Sequence, residues 1–484
     1  MSLSFLDLAV LLAYLAGVVG LGLWVGRRSR DFADYVVGGR DRPWWLILVS
    51  IVATETSTVT FLSIPGFAFG RDITWLQIAL GFVVGRFVVA YVLLPQYFEG
   101  SLFTAYEVLD RRFGAAAKRA ASALFIVTRS LADGLRLFLS AIVLQEMTGL
   151  AFPLAVASIG AVTIVYTFLG GMRAVLWTDL VQFVVYMAGA TVAFVVLLDL
   201  LPGGWGQVVA TGAEAGKWRA LDLRLDWSEP YGLWAGLLGG AFITLGSHGV
   251  DQMLVQRYLC ARGLADARRA VWSSGLVVFA QFAAFLVLGV ALFTFYQTFP
   301  PETAFERTDR VFARFILDHV PTGLLGLLLG AVFAAAMSTL SSSLNSCATA
   351  AVRDFFLPAA GRTAQKDVSP ERQLRLTRGL TVVFGLVQIA VGIGGQWLAS
   401  SVVASVLGIA AFTTGIVLGV FFLGAFAPRV GQRAALAGLV VGLAVMTTVF
   451  FGTSLAWPWY ALVGSGITFA TGLAASLPWP REDP

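Results

Sequence analysis

The chain of 484 residues has two cysteines and two histidines. Cys260 and Cys347 make no disulfide framework and no metal cluster. A membrane enzyme needs His, Asp or Cys gathered near one face for proton or metal chemistry, and two distant histidines argue against one. No Gly-rich loop ending in Lys-Ser/Thr is present, which excludes a nucleotide-driven pump of that type. Charge is scarcer still. Charged residues make up 13% of the chain, about half of the roughly 25% usual in soluble domains. That deficit excludes a soluble enzyme, a nucleic-acid binder and a disordered protein together.

What the chain has is apolar length. Hydrophobic residues reach 58% and the mean hydropathy is +0.82. A spanning helix needs about 20 mostly apolar residues. That ruler predicts thirteen, near 4–26, 44–70, 73–96, 118–148, 152–170, 175–201, 231–256, 267–297, 322–352, 374–397, 400–427, 432–452 and 456–477. The fold class expected is an all-α polytopic membrane protein, with 1–484 as a single transmembrane domain. The first segment lacks a signal-peptide cleavage pattern and is expected to remain as a helix. The longest loops, 202–230 and 353–373, are too short to fold alone.

Basic residues orient the chain. With 27–43 on the inner side and strict alternation after it, twenty-three basic residues fall inside and seven outside. The positive-inside rule then sets the N-terminus outside and the C-terminus in the cytoplasm, as for a multi-pass protein of the plasma (inner) membrane. Arg86, Arg129 and Arg136 belong to neither group, since each lies within a predicted span.

Two spans read as broken. Ala53-Thr54-Glu55-Thr56-Ser57-Thr58-Val59-Thr60 is a polar run inside an apolar segment, with Pro65-Gly66 following as the expected breaker. Thr244 to Gln252, through Gly246, His248 and Gly249, is the second. Interrupted segments at corresponding places of two halves point to an inverted-repeat transporter. The expected division is an extra helix at 4–26, a first five-helix repeat at 44–201, a second at 231–427 and two C-terminal helices at 432–477.

Polar side chains at Ser338, Ser341, Ser342 and Asn345 fall on one face of the span at 322–352. Sodium prefers several hard oxygens, and serine hydroxyls with freed carbonyls at an unwound helix supply them. The alternative is simple helix packing. Asp179 reads as a further cation ligand or as an interfacial carboxylate beside Arg173. Arg129, Asp133 and Arg136 share a helix face; an Arg129–Asp133 pair leaves Arg136 unmatched. Either Arg86, Arg129, Asp133 and Glu55 form one structural ion-pair network, or an arginine, Arg136 foremost, binds a substrate carboxylate. His248 is expected to hold the unwound backbone or touch substrate. His319 lies in an external segment, and Gly81 to Gly85 reads as close helix packing.

The Ala53–Gly66 run, Thr178-Asp179-Leu180-Val181-Gln182, Asp251-Gln252-Met253-Leu254-Val255-Gln256-Arg257-Tyr258-Leu259 and Ala335–Ser346 together resemble the sodium:solute symporter family. The resemblance implies a leucine-transporter-type fold of two inverted five-helix repeats with extra helices. It implies a core sodium site from Ala53, Thr56, Ala335, Ser338 and Thr339, and a second from Asp179, Ser338, Ser341 and Ser342. Proline-transporter relatives carry an aspartate where Glu55 stands, so Glu55 either reaches sodium or pairs with an arginine. The resemblance also implies substrate contacts at Ser57 and Thr60, with Arg136 or Arg129 as the carboxylate binder of sialic-acid-transporting members. The expected function is sodium-coupled symport of a small organic solute, an anionic carboxylate favoured. A neutral sugar or amino acid is the alternative. A transporter-like sensor is a different class and would need a signalling domain past the last span. The expected partners are a small-molecule substrate, sodium and the lipid bilayer, with no nucleic acid, in a monomer or loose oligomer.

Overall fold

The computed structural model describes residues 4–27, 31–100, 102–301, 304–305, 307–357, 368–398 and 400–478. Arg28, Arg30, Arg362, Lys366 and Arg481, which the sequence puts on the inner side, lie outside these. Among the described residues every regular element is helical, and the one β-type pairing is a bridge between Arg42 and Ala261. The first half holds α1 (Phe5–Gly26), α2 (Trp44–Glu55), α3 (Thr58–Gly70), α4 (Leu76–Val88), α5 (Ala115–Thr148) and α6 (Phe152–Leu200). Then come α7 (Gly240–Gly249), α8 (Gln252–Tyr258), α9 (Leu264–Thr298) and α10 (Leu324–Ala350). The last are α11 (Pro370–Gly394), α12 (Ser400–Phe426), α13 (Gln432–Gly452) and α14 (Trp459–Ala475).

Eight of the described helices are long and apolar enough to cross a bilayer, or nine if the bent pair α2–α3 is one span. Of the other expected crossings, the one at 118–148 is α5, whose charged residues keep it out of that set, and the rest fall on α6, whose 49 residues are two arms meeting at Gly171, on the short pair α7–α8, and on α14. At Gly171 φ is +54°. A Cβ there would lie 2.4 Å from the Tyr35 carbonyl oxygen, so both conformation and space require glycine.

Both breaks are made by capping. Ser57 is extended and accepts the Thr60 N–H at 3.3 Å, starting α3 at a 68° angle to α2. Pro65, the expected breaker, lies inside α3. The break falls at Thr56–Ser57 because a serine hydroxyl competes with the backbone for its own N–H donors. In the second pair Asp251 is extended and accepts the Met253 N–H at 2.8 Å, so α8 restarts after α7 ends at Gly249.

α10 is the axis of the molecule. Every residue from Leu328 to Ala350 is buried, so its polar run must find partners inside the protein. The apolar core forms two large clusters, one with Ile51 and Cys347, the other with Ala53, Phe61 and Leu344. Along α2 the change from one to the other falls between Ile51 and Ala53, one turn before the break, and along α10 between Leu344 and Cys347, at the end of the serine-rich segment. Gly81 gives α4 its close approach to the second half, since a Cβ there would lie 2.2 Å from the Gly236 carbonyl oxygen. This is the packing its spacing predicted.

Candidate functional site

A helix end leaves carbonyls without helical donors. The Ser57 N–H, which an unbroken α2 would send to Ala53, goes to the Glu55 carbonyl at 3.2 Å. The Thr60 N–H, which would serve Thr56, goes to the Ser57 hydroxyl. Ala53 and Thr56 therefore present carbonyl oxygens at the break. α10 meets them there. The Thr339 hydroxyl donates to the Thr54 carbonyl at 3.0 Å and lies 3.5 Å from the Ala335 carbonyl. The Ser338 hydroxyl turns aside and donates to Asp179 Oδ1 at 2.8 Å. The Thr56 hydroxyl donates to the Val52 carbonyl at 2.9 Å and accepts from Gln281 at 2.7 Å.

Asp179, on the second arm of α6, is fully buried. Its expected neighbour Arg173 instead lies 3.8 Å from Asp34. The partner of Asp179 is Arg257, at 3.1 Å. Counting along the chain put Arg257 in an inner loop. It sits in the last turn of α8 with its side chain 1% exposed. Its Nε donates to Ser50 at 2.9 Å and its Nη1 to the Met253 carbonyl at 2.6 Å, while Nη2 also reaches the Thr54 and Ser342 hydroxyls. The Ser341 and Ser342 hydroxyls donate to the Ser338 carbonyl at 3.1 and 2.7 Å. Asp179, Ser338 and Ser342 are thus brought together, around a guanidinium.

A cavity of about 320 Å³ opens beside the break of α2, walled by Glu55, Ser57, Thr60, Arg129, Arg136 and Asp251. Thr413 of α12, Trp457, and Tyr460 of α14 close its other side. The ion pairs differ from the single network the sequence suggests. Asp133 pairs with Arg136 at 2.5 Å, not chiefly with Arg129, which is 3.8 Å from Asp133 and bonds to Asp251. Arg136 is therefore matched, yet its side chain is 37% exposed against 13% for Arg129. Glu55 pairs with Arg86, so the arginine alternative for Glu55 is the geometry found. His248, buried behind Glu55, lies 3.2 Å from both the Glu55 carboxylate and Arg86 Nε, and is not in the cavity wall. His319 packs on Phe295 with centroids 4.8 Å apart, away from the site. Around the breaks, Arg86, Arg129, Arg136 and Arg257 face Glu55, Asp133, Asp179 and Asp251, one carboxylate for each guanidinium.

Sequence reasoning missed Asp251 and Arg257 as members of this cluster, and Trp457 and Tyr460 as walls. The signal for Arg257 was present. It falls only six residues after the Asp251 cap, too few to leave the interior, and a buried carboxylate at 179 requires a counter-charge.

A helical bundle with two broken helices, freed carbonyls facing a hydroxyl-bearing helix, and a charged cavity beside them has the parts of a membrane transporter. The model of the sodium:solute symporter family matches residues 35–442, and the chain belongs to that family. It is a sodium-coupled multi-pass symporter and not an enzyme. The sodium/sialic acid symporter SiaT of Proteus mirabilis is 28% identical, covering 99% of this chain and 96% of the relative. The human sodium/iodide cotransporter is also 28% identical, over 93% and 70%. The solved structure of a Na+-coupled sialic acid symporter, substrate-bound and outward-open, superposes with a TM-score of 0.90 at 26% identity, covering 99% of both chains. Mhp1, a nucleobase-cation-symport-1 family transporter, shares the fold at a TM-score of 0.60 and 13% identity over 93% of this chain and 95% of its own.

Proposed function

We propose that this symporter imports a small organic anion bearing a carboxylate, together with sodium, by alternating access. The observation that carries the reading is Arg136. Its guanidinium is the more exposed of the two in the cavity wall, it has one carboxylate partner, and it lines the same small recess as Ser57 and Thr339. A planar guanidinium suits bidentate capture of a carboxylate, and Ser57 and Thr60 add hydroxyl donors at the start of α3, whose N-terminus favours an anion. Similarity to symporters named for sialic acid, from Proteus mirabilis and Aliivibrio fischeri, supports the same class.

In this reading sodium sits between the Ala53 and Thr56 carbonyls on one side and Ala335, Ser338 and Thr339 on the other. It ties α2 to α10 and orders the break for substrate, and by linkage substrate tightens sodium equally. A second sodium at Asp179, Ser338, Ser341 and Ser342 fits an anionic cargo. A monovalent anion entering with one sodium is electroneutral and gains only the chemical gradient, about 1.4 kcal/mol per tenfold. Another sodium crossing 100 mV adds roughly 2.3 kcal/mol plus a further gradient term. Residues 44–201 and 231–427 form the two inverted five-helix repeats, each opening on a broken helix, flanked by 4–26 and 432–477. The thirteen crossings put the N-terminus outside and the C-terminus in the cytoplasm.

The test is uptake and ligand-induced thermal shift with Arg136→Gln across small organic acids, sugars and amino acids. Lost uptake and lost acid-induced shift, with the sodium-induced shift intact, is the expected outcome. Normal uptake by the variant refutes carboxylate capture and leaves a neutral solute.

A further inference from the structure

The seven-residue helix α8 joins the two candidate sites by its ends. At its N-cap, Asp251 faces the cavity and bonds to Arg129. In its last turn, Arg257 bonds to Asp179. One and a half turns of helix separate them, too short and too well anchored to flex internally. Both ends are buried, with side chains 1% exposed at Asp251 and at Arg257.

The Arg257 guanidinium stands where a second cation would stand. It meets the carboxylate of Asp179 and the hydroxyls of Thr54 and Ser342, and holds Ser50 at 2.9 Å. Sodium at Asp179 would need the same Oδ2 and Ser342 oxygens. Two cations on one buried carboxylate repel strongly in a low-dielectric setting. We propose that Arg257 is a tethered cation that competes with sodium for Asp179, and that α8 carries the exchange to the substrate cavity. With sodium absent, Arg257 neutralises Asp179 and holds α8 down on α2 and α10. When sodium takes Asp179 and Ser342, the guanidinium loses its counter-charge and keeps only neutral partners, the Ser50 and Thr54 hydroxyls and the Met253 carbonyl on its own helix. α8 is then free to shift, and Asp251 at the other end loosens from Arg129. A substrate anion that draws Arg129 or Arg136 away from Asp251 and Asp133 acts in the reverse direction, since coupling between two sites is reciprocal. Arg257 is a positioning residue in this scheme. It touches neither substrate nor sodium, and sets how readily Asp179 accepts the ion.

The inference rests on the second-sodium reading and is tested by sodium titration without substrate, so that it does not depend on the cargo. Thermal stabilisation of the purified full-length protein is followed against sodium concentration, with potassium held constant, for wild type, Arg257→Lys, Arg257→Gln and Asp179→Asn. Removing the competitor should lower the half-saturating sodium concentration by about tenfold for Gln, within the 5–150-fold range of such couplings. Lys keeps the charge but not the planar fork, so it should fall between Gln and wild type. If the Gln variant does not fold, the Lys variant alone still decides, since it must titrate at lower sodium than wild type. Lys and Gln variants that fold and titrate like wild type overturn the competition, provided that Asp179→Asn weakens or flattens the titration. An Asp179→Asn variant that titrates like wild type instead removes the second sodium site, and the inference with it.

Discussion

Glu55→Gln separates two roles that one carboxylate at the break of α2 could fill. Arg86 is fully buried, and its carboxylate partner is Glu55, whose side chain is 21% exposed on the cavity. Breaking a buried ion pair by removing one partner costs about 3–5 kcal/mol because the other charge stays behind uncompensated. Glutamine keeps the shape and one acceptor oxygen, and His248 Nε2 remains 3.2 Å from Arg86 Nε. The expected loss is therefore at the low end, about 3 kcal/mol. Arg86→Gln in the same background removes the stranded charge, so the double variant should be more stable than Glu55→Gln alone, with a coupling of about 2 kcal/mol in the double-mutant cycle. The assay is denaturant unfolding in detergent micelles, followed by tryptophan fluorescence, beside sodium-induced thermal shift. Holding Arg86 predicts a large stability loss and less than about a threefold change in half-saturating sodium. Unchanged stability, no coupling, and sodium affinity down tenfold or more would refute the pairing and make Glu55 a sodium ligand.

Thr339→Val removes the hydroxyl that ties α10 to the Thr54 carbonyl. It should cost about 1 kcal/mol of stability and raise half-saturating sodium at least several-fold in the same titration; an unchanged sodium response excludes Thr339 from the core site. Gly81→Ala forces a Cβ against the Gly236 carbonyl oxygen and should cost about 1–3 kcal/mol, whereas Gly20→Ala, with nothing within 4 Å, should be neutral or slightly stabilising. In the loop between α6 and α7, a hydrogen bond from Arg224, backed by Arg219, holds the Asp222 carboxyl well below the usual carboxylate range. A depressed folded-state pKa contributes stability above the unfolded value and loses it as the pH falls through the folded one. The melting-temperature gap between wild type and Asp222→Asn should therefore hold from neutral pH down to about 4 and shrink below it; a gap that widens on acidification refutes the assignment.

Where the chain folds by apolar length, the sequence was legible. α1, α9, α10 and the two arms of α6 lie close to their expected limits, and both helix breaks fall inside the runs that named them. The mechanism of the first break was not legible, because Pro65 is the louder signal in a string of letters while the Ser57 cap acts through one backbone hydrogen bond. The candidate ligands were legible as residue types and, in Asp179 and the serines of α10, as neighbours. Their partners were not. Arg257 was read by its distance from a span edge, but α8 is a separate short helix that keeps it inside. Asp133 stands three residues from Arg136 and four from Arg129, and spacing alone does not rank them. Asp251, from a distant helix, decides the matter by taking Arg129.

The four-to-four match of guanidinium and carboxylate around the breaks bears on the empty carrier. In the proposed cycle these four pairs carry no net charge of their own through the membrane field when the unloaded protein reorients, so voltage finds little grip on them in the return stroke. The driving force then enters through the loaded half of the cycle. Each passenger ion is then felt by the field without a net charge of this cluster to oppose or assist it.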